Sequence, residues 1–373
     1  MPNKVMILGG YGNFGKRIAH ALAADGVEVL IAGRSLEKSK NLADEIGDFA
    51  TPLCLTIPND LDQALSTYCP DVIVNTVGPF QRQDYDVARI AITRHVHYID
   101  LADGRDFVCG ISELDQISKS ADVSVIAGAS TVPALSDAVV SEFRNEFSTI
   151  ENMKYGIAPG QRAERGLATT QGILGYVGRP LAPFSGIRPQ VFGWQDLYRQ
   201  RYPGLGNRWM ANCEIPDLDL LPVRHNIRSI QFSAGLEIDL LHLGLWGLSW
   251  LVRAGVPLSL ENLAAPMLSM SNWFNGLGSA DGGMHVILTG LSSDKIPKRV
   301  ERRWFILARD GDGPHIPTIP AILLAKKIAD GVQLPVGAYP CCGLITLSEY
   351  LQALERFNIE VVSECSEVAL NLS

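Results

Sequence analysis

The run Val5-Met-Ile-Leu-Gly-Gly-Tyr-Gly-Asn-Phe-Gly15 restricts the fold of this chain more than any other stretch. A short apolar strand enters a G-x-G-x-x-G turn (Gly10, Gly12, Gly15), and a helical pattern follows at Phe14, Ile18 and Leu22. One glycine makes a bend that a Cβ would block, the next lets a pyrophosphate approach backbone, and the third lets helix and strand pack closely. The helix N-terminus then presents N–H groups and a positive dipole end to the phosphates. Glycines at this spacing are common; a strand before them and a helix after them make the signal specific.

The next strand, Val27-Glu-Val-Leu-Ile-Ala-Gly, ends at Gly33-Arg34-Ser35, with Lys38 one helical turn on. That strand end is where the adenosine ribose is recognised, and an acidic residue there selects a free 2′-hydroxyl. A guanidinium beside a hydroxyl attracts a 2′-phosphate and can bind it bidentately. The expectation is therefore NADP(H) rather than NAD(H). The plain alternative is that Arg34 and Lys38 are solvated charges.

With 373 residues the chain can build two domains with substantial cores, and its net charge of −8 argues against a nucleic-acid footprint. Its seven cysteines form no C-x-x-C pair and no metal-ligand spacing with histidine. They read as reduced thiols of a cytoplasmic protein, the adjacent Cys341 and Cys342 included. No signal peptide fits ahead of a strand that begins near Lys4. The longest apolar run, 240–252, is interrupted by His242 and too short to span a bilayer. It reads as a buried or interface helix.

Strands alternate with helices through the first third of the chain. Helices are expected over 36–46, with Ser35 as N-cap, then 84–93 and 110–121; strands over 51–55, 71–77, 97–101 and 123–127. The continuous apolar character of 71–77 is that of a strand covered on both faces. This rhythm predicts an α/β class with a doubly wound parallel Rossmann sheet over 1–133. Ligand groups should gather beyond the carboxyl ends of its strands. From about 152 the pattern changes to short strand candidates at 153–157, 191–194, 229–233, 284–288 and 299–307, with helices at 236–253 and 260–274. We expect an inserted antiparallel α+β domain over 134–313, with a loop-rich stretch at 196–226. A tail over 314–373 should return to the first domain through a helix at 319–329, a capping box at Thr346–Glu349 and a strand at 359–363.

The chain resembles the saccharopine dehydrogenase-like family of NADP-dependent oxidoreductases. The resemblance is carried by Gly9-Gly-Tyr-Gly-Asn-Phe-Gly15, Gly33-Arg-Ser35, Asn75-Thr-Val-Gly-Pro-Phe80 with Tyr85, His97-Tyr-Ile-Asp-Leu101 and Ala127-Gly-Ala-Ser-Thr-Val-Pro133. The tail Asp312-Gly-Pro-His-Ile-Pro317 adds to it. The resemblance implies a nicotinamide bound between a Rossmann domain and a sheet-bearing domain that also dimerises. It further implies hydride transfer at a carbon–nitrogen bond of an amino-acid-derived secondary amine or imine. Reduction of a carbonyl or enoyl lipid-like substrate, and a non-catalytic NADPH-binding scaffold, are the alternatives.

Such chemistry needs a proton donor and acceptor beside the cofactor and cations for substrate carboxylates. Asp103, in a loop on the ligand rim, is the acid/base candidate; a turn-forming aspartate before Gly104 is its plain alternative. Arg105, Arg208 and His285 are candidates for holding a small-molecule substrate's acid groups, with structural roles as alternatives. The expected cofactor set is Gly10, Tyr11, Gly12, Asn13, Phe14, Gly15, Arg34, Ser35, Lys38, Gly78, Pro79, Phe80, Asp100, Ser130 and Thr131. Within it, Asp100 serves the nicotinamide ribose or the following turn, and Ser130 and Thr131 the carboxamide or a helix cap. His97, alternating with Ile99 and Leu101, reads as a core residue.

Overall fold

The computed structural model describes residues 3–182, 186 and 190–367. The chain divides into two units, one of residues 1–135 with 314–345, the other of 136–313 with 346 onward. In the first, strands β1 (Lys4–Leu8), β2 (Glu28–Gly33), β3 (Ala50–Cys54), β4 (Val72–Asn75), β5 (His97–Asp100) and β6 (Ser124–Ala127) alternate with helices. These are α1 (Asn13–Ala24), α2 (Leu36–Ile46), α3 (Leu61–Tyr68), α4 (Asp86–Thr93), α5 (Arg105–Gly110) and α6 (Asp115–Ser120).

The second unit opens with α7 (Ser136–Phe143), β7 (Phe147–Ala158) and α8 (Leu167–Tyr176). There follow β8 (Tyr198–Tyr202), β9 (Gly206–Asn212), α9 (Asp217–His225), β10 (Ser229–Leu236), α10 (Asp239–Arg253), α11 (Ala264–Asn272), β11 (Gly282–Ser292) and β12 (Arg299–Ala308). The chain then adds α12 (Ile319–Ala329) and β13 (Gly337–Pro340) to the first unit, and α13 (Leu347–Leu354) and β14 (Ile359–Glu367) to the second.

The first sheet has the order β13-β6-β5-β4-β1-β2-β3, and all its pairings are parallel. Val5 to Leu8, Val29 to Ala32 and Val72 to Val74 are sealed from solvent, as strands flanked by helices on both faces must be. Strand order reverses between β1 and β4, so the connections leave in opposite directions and open a crevice at the carboxyl ends. Most apolar residues of α12, Ile319, Ile322, Leu324 and Ile328 among them, are buried, and the helix packs against β4 and β5.

The second sheet has the order β14-β12-β11-β7-β10-β9-β8. It is mixed rather than antiparallel throughout, because β10 pairs with β7 in parallel after the excursion through α8, β8, β9 and α9. The stretch expected to be loop-rich is largely ordered. Tyr198, Gln200 and Tyr202 turn inward while Arg199 and Arg201 turn out, and Gly204 and Gly206 at positive φ close the hairpin. No strand forms over 191–194, where Gly193 and Phe192 make only isolated bridges. The helix expected over 110–121 is broken by a 3-10 turn at Ile111–Leu114, and that over 260–274 begins as one at Leu260–Leu263.

The last strand does not return to the first unit. It pairs antiparallel with β12 from Ile359↔Ala308 to Glu367↔Val300. Its physical reason is in the sequence: Ile-Glu-Val-Val-Ser-Glu-Cys-Ser-Glu carries charges that a doubly covered parallel strand excludes and an exposed edge strand uses. The Thr346 capping box forms in full, with Thr346 Oγ1 accepting from Glu349 N and the Glu349 carboxylate accepting from Thr346 N.

Candidate functional site

The fingerprint turn is held by backbone. The N–H groups of Gly9 and Gly10 both donate to Ala32 O at 2.9 and 3.1 Å, and Gly12 N donates to Gly9 O at 2.8 Å. A Cβ on Gly15 would stand 2.3 Å from Gly9 O, so only glycine lets α1 begin this close to the turn. Gly9, with φ +74°, abuts Thr76 Oγ1 across the strand-order reversal, and Thr76 Oγ1 donates to Leu8 O at 2.8 Å. Gly12 is the N-cap of α1 and supplies no side-chain acceptor, whereas Ser35 caps α2 by accepting Lys38 N. The first turn of α1 is thus left for an external anion. Asn13 turns its side-chain oxygen to the Arg17 guanidinium one helical turn along.

Tyr11 bridges this turn to the end of β2. Its ring lies against Gly33, where a Cβ would come within 2.3 Å of Cε1, and its hydroxyl accepts the Ser35 N–H at 3.1 Å. Lys38 Nζ sits 5.9 Å from the ring centroid. Arg34 and Lys38 are both exposed, and neither is neutralised by a carboxylate among the described residues. Together with the uncapped helix and the glycine cradle, these groups fit a dinucleotide bearing phosphates at both places.

Beyond β4, Asn75 is buried, its Oδ1 accepting Val77 N at 3.0 Å and its Nδ2 donating to Tyr98 Oη at 3.1 Å. Gln83 Nε2 donates to Val77 O and Pro79 O, fixing the Gly78-Pro79-Phe80 corner, whose Gly78–Pro79 bond is cis. Phe80 is buried against Phe107, which also packs on Tyr85.

Asp100 is sealed from solvent and ties two loops together: Oδ1 accepts Ala102 N at 2.9 Å and Gly128 N at 2.8 Å, and its carbonyl accepts Ala129 N at 2.7 Å. Burial pushes its carboxyl up to about 7, although the Gly128 and Ala102 amides and the nearby Tyr98 phenol pull the other way. Gly128, at φ +76°, leaves the room that Pro133 needs. Ser130 N donates to Gly128 O, and Thr131 is buried at the start of the following kinked turn. Asp103 is half-buried; Gln81 Nε2 donates to its Oδ1 at 3.0 Å, and loss of solvent raises its pKa despite that bond. Arg105 is buried in the first turn of α5. These groups stand on the rim where the parallel strands end, Asp103 and Gly78 to Phe80 linked through Gln81.

The two candidates from the second unit are engaged by partners within it. Arg208 donates to Glu237 Oε1 at 3.1 Å with both groups nearly buried, so its charge is taken. Burial raises Glu237, but Gln161 N, Ser279 N, Ser279 Oγ and Arg208 outweigh it and keep the carboxyl below its ordinary range. His285 is fully buried between Tyr202, 2.8 Å from Nδ1, and Tyr198, 3.4 Å from Nε2. Burial, with Lys154 second, drives its pKa down to about 3, so a neutral ring cannot anchor an acid group by charge. The sequence marked Gly9, Asn75 and Thr76 as parts of a motif but not as site residues. A polar residue closing an apolar strand, Asn75, was the available signal.

A parallel sheet with a strand-order reversal and an uncapped glycine turn at it define a dinucleotide-binding α/β protein. Residues 5–175 match the family described as saccharopine dehydrogenase NADP binding domain. The fold matches apo saccharopine dehydrogenase (L-Glu forming) from Saccharomyces cerevisiae with a TM-score of 0.68 and 14% identity, over 98% of this chain and 100% of that one. It also matches homospermidine synthase from Legionella pneumophila in complex with NAD, with a TM-score of 0.58 and 10% identity, over 100% and 94% of the two chains. In sequence, 4-hydroxy-tetrahydrodipicolinate reductase of Syntrophomonas wolfei subsp. wolfei is 27% identical over 214 residues, 54% of this chain and 79% of that protein. Over residues 5–175 the chain is similar to the saccharopine dehydrogenase NADP binding domain, and it is an NAD(P)-dependent oxidoreductase.

Proposed function

We propose that this oxidoreductase uses NADP(H) and transfers hydride at a carbon–nitrogen bond of an amino-acid-derived secondary amine or imine. The observation that carries the cofactor choice is the end of β2: Arg34, Ser35 and Lys38 present two uncompensated cations and a hydroxyl, held in place by Tyr11. A 2′-phosphate there gains charge-assisted hydrogen bonds, and the strand end Gly33-Arg34-Ser35 itself carries no carboxylate to favour a free ribose. When bound, the dinucleotide supplies the hydride. Asp103, with a raised pKa and a rim position, is assigned the proton at the substrate nitrogen, and Gln81 orients its carboxyl. Asp100, Asn75 and Gln83 hold the loops that carry these groups. The carbon–nitrogen assignment is supported by the match of residues 5–175 to the saccharopine dehydrogenase NADP binding domain and by the motif residues that carry the resemblance.

We further propose a cytoplasmic homodimer. Among the described residues no helix is long and apolar enough to cross a membrane. Several apolar residues on α10 and on or just after α11 are nevertheless exposed: Leu240, Trp250, Leu251, Met270 and Trp273, Trp273 at 81%.

The deciding experiment monitors NADPH oxidation by purified protein with amino acid plus aldehyde pairs, and separately with enoyl esters. Turnover confined to the imine-forming pairs is expected. Turnover confined to enoyl esters would replace the reading with a lipid-like reduction, and tight NADPH binding without any turnover would replace it with a scaffold role.

A further inference from the structure

One face of the second sheet carries a polar cluster far in character from the apolar core around it. Register places Lys154 beside Gln231 and Ile287, Gly156 beside Ser233 and His285, and Tyr198 beside Met210, so these side chains share that face. Lys154 is half-buried in the middle of β7. Its ammonium stands 3.3 Å from the Tyr198 ring centroid and, among the described residues, has no carboxylate partner. A partly desolvated ammonium balanced only by an aromatic face is a costly arrangement unless an anion completes it. Burial alone lowers the Lys154 pKa, consistent with the lack of a counter-charge.

The neighbouring hydrogen bonds position a phenol. Tyr202 Oη lies 2.8 Å from His285 Nδ1 and 3.5 Å from Gly156 O, and Tyr198 Oη lies 3.4 Å from Nε2, so the imidazole joins the two phenols through its two ring nitrogens. A neutral imidazole donates from one of these nitrogens and accepts at the other. The Ser233 hydroxyl is buried on the same face. This network fixes the Tyr198 phenol next to the Lys154 ammonium. Gly156 is required here, because a Cβ would press within 2.3 Å of Ser233 O and 3.1 Å of His285 Cε1.

We propose that Lys154 and Tyr198 form a binding site for a single carboxylate, the acid group of the substrate. One ammonium and a neutral donor match a monoanion; phosphate dianions are ordinarily met by arginine forks or runs of backbone amides. The identity of the ligand as substrate rests on the proposed amine chemistry, while the anion site itself does not.

The test is calorimetric titration of the full chain, saturated with NADPH, with glutarate, with glutaramide as the uncharged isostere, and with inorganic phosphate. Wild type, Lys154→Met and Lys154→Arg are compared, with thermal melting and NADPH affinity as controls on folding. Glutarate is expected to bind wild type, Lys154→Met to weaken it about tenfold or more, and Lys154→Arg to retain most of it. Glutaramide and phosphate should bind at least about tenfold more weakly than glutarate. Equal glutarate affinity in wild type and Lys154→Met, no glutarate binding at all, or preferential phosphate binding would each overturn the site. Carboxylate binding without turnover of any imine would leave the site standing and sink the amine chemistry; turnover with Lys154→Met unaffected would do the reverse.

Discussion

The Tyr11 hydroxyl accepts the Ser35 N–H at 3.1 Å while its ring covers Gly33, joining the fingerprint turn to the residues at the end of β2. The same side chain therefore sets where Arg34 and Ser35 stand relative to the first turn of α1. Tyr11→Phe keeps the ring and removes the acceptor. It is expected to cost NADPH about 1 kcal/mol, the net worth of one hydrogen bond, with NADH affected less. Gly33→Ala displaces the ring and should cost more. Fluorescence titration of both cofactors measures this, and an unchanged NADPH affinity in Tyr11→Phe would contradict it.

Gly15→Ala probes the cradle itself. Its Cβ would meet Gly9 O at 2.3 Å and Gly10 Cα at 2.8 Å, both backbone, so α1 must shift away from the turn. Overpacking of this kind costs about 1–3 kcal/mol in stability, and the displaced helix should bind NADPH and NADH alike at least about tenfold more weakly. A melting curve and one titration decide it; wild-type affinity would mean that phosphates are held elsewhere.

The buried Asp100 carboxyl gives a signed pH dependence. Its pKa is raised from 3.8 to about 7, so between these values the native state binds more protons than the unfolded chain. Stability from this group is complete below about 4 and is lost as pH rises through about 7. Asp100→Asn keeps an oxygen for the Gly128 and Ala102 amides and carries no charge. It should match wild type at pH 5 and equal or exceed it at pH 8 in denaturant unfolding. A loss that is larger at pH 8 would show that the ionised form is the one the fold requires.

Asp103→Asn tests the acid/base assignment. The expected loss in kcat is about 100- to 10,000-fold, with the carboxyl limb of the pH–rate profile abolished and NADPH binding unchanged. A variant that keeps both its rate and its profile would return Asp103 to the role of a turn residue.

Light scattering tests the dimer. Wild type is expected at twice the chain mass, and Trp273→Ser combined with Leu240→Gln at the mass of one chain. A monomeric wild type, or a variant still paired, would assign the exposed face of α10 and α11 to something other than a second copy.

The nucleotide-binding unit was legible because its signals are local. Glycines, apolar runs and the Ser35 cap each lie within one turn or strand, and each corresponds to a single element of the structure. Short α3 escaped notice although Leu61, Ala64 and Leu65 repeat at helical spacing, because eight residues beside a Pro-Asn-Asp turn read as loop. The second unit was harder. Partner choice for β10 and β14 is decided by strands far away in sequence, and alternation at Tyr198 to Tyr202 was hidden by arginines on the outward face. The same distance hides the partners of the second-unit candidates: nothing near Arg208 announces Glu237, and nothing near His285 announces Tyr198 and Tyr202.

The account depends most on the cation at the end of β2. Titrating NADPH and NADH by calorimetry into wild type and Arg34→Ala addresses it directly. The predicted result is a loss of about 1.5–3 kcal/mol for NADPH, the worth of a charged hydrogen bond, with NADH unchanged. Equal losses for the two cofactors, or a wild type that prefers NADH, would contradict it.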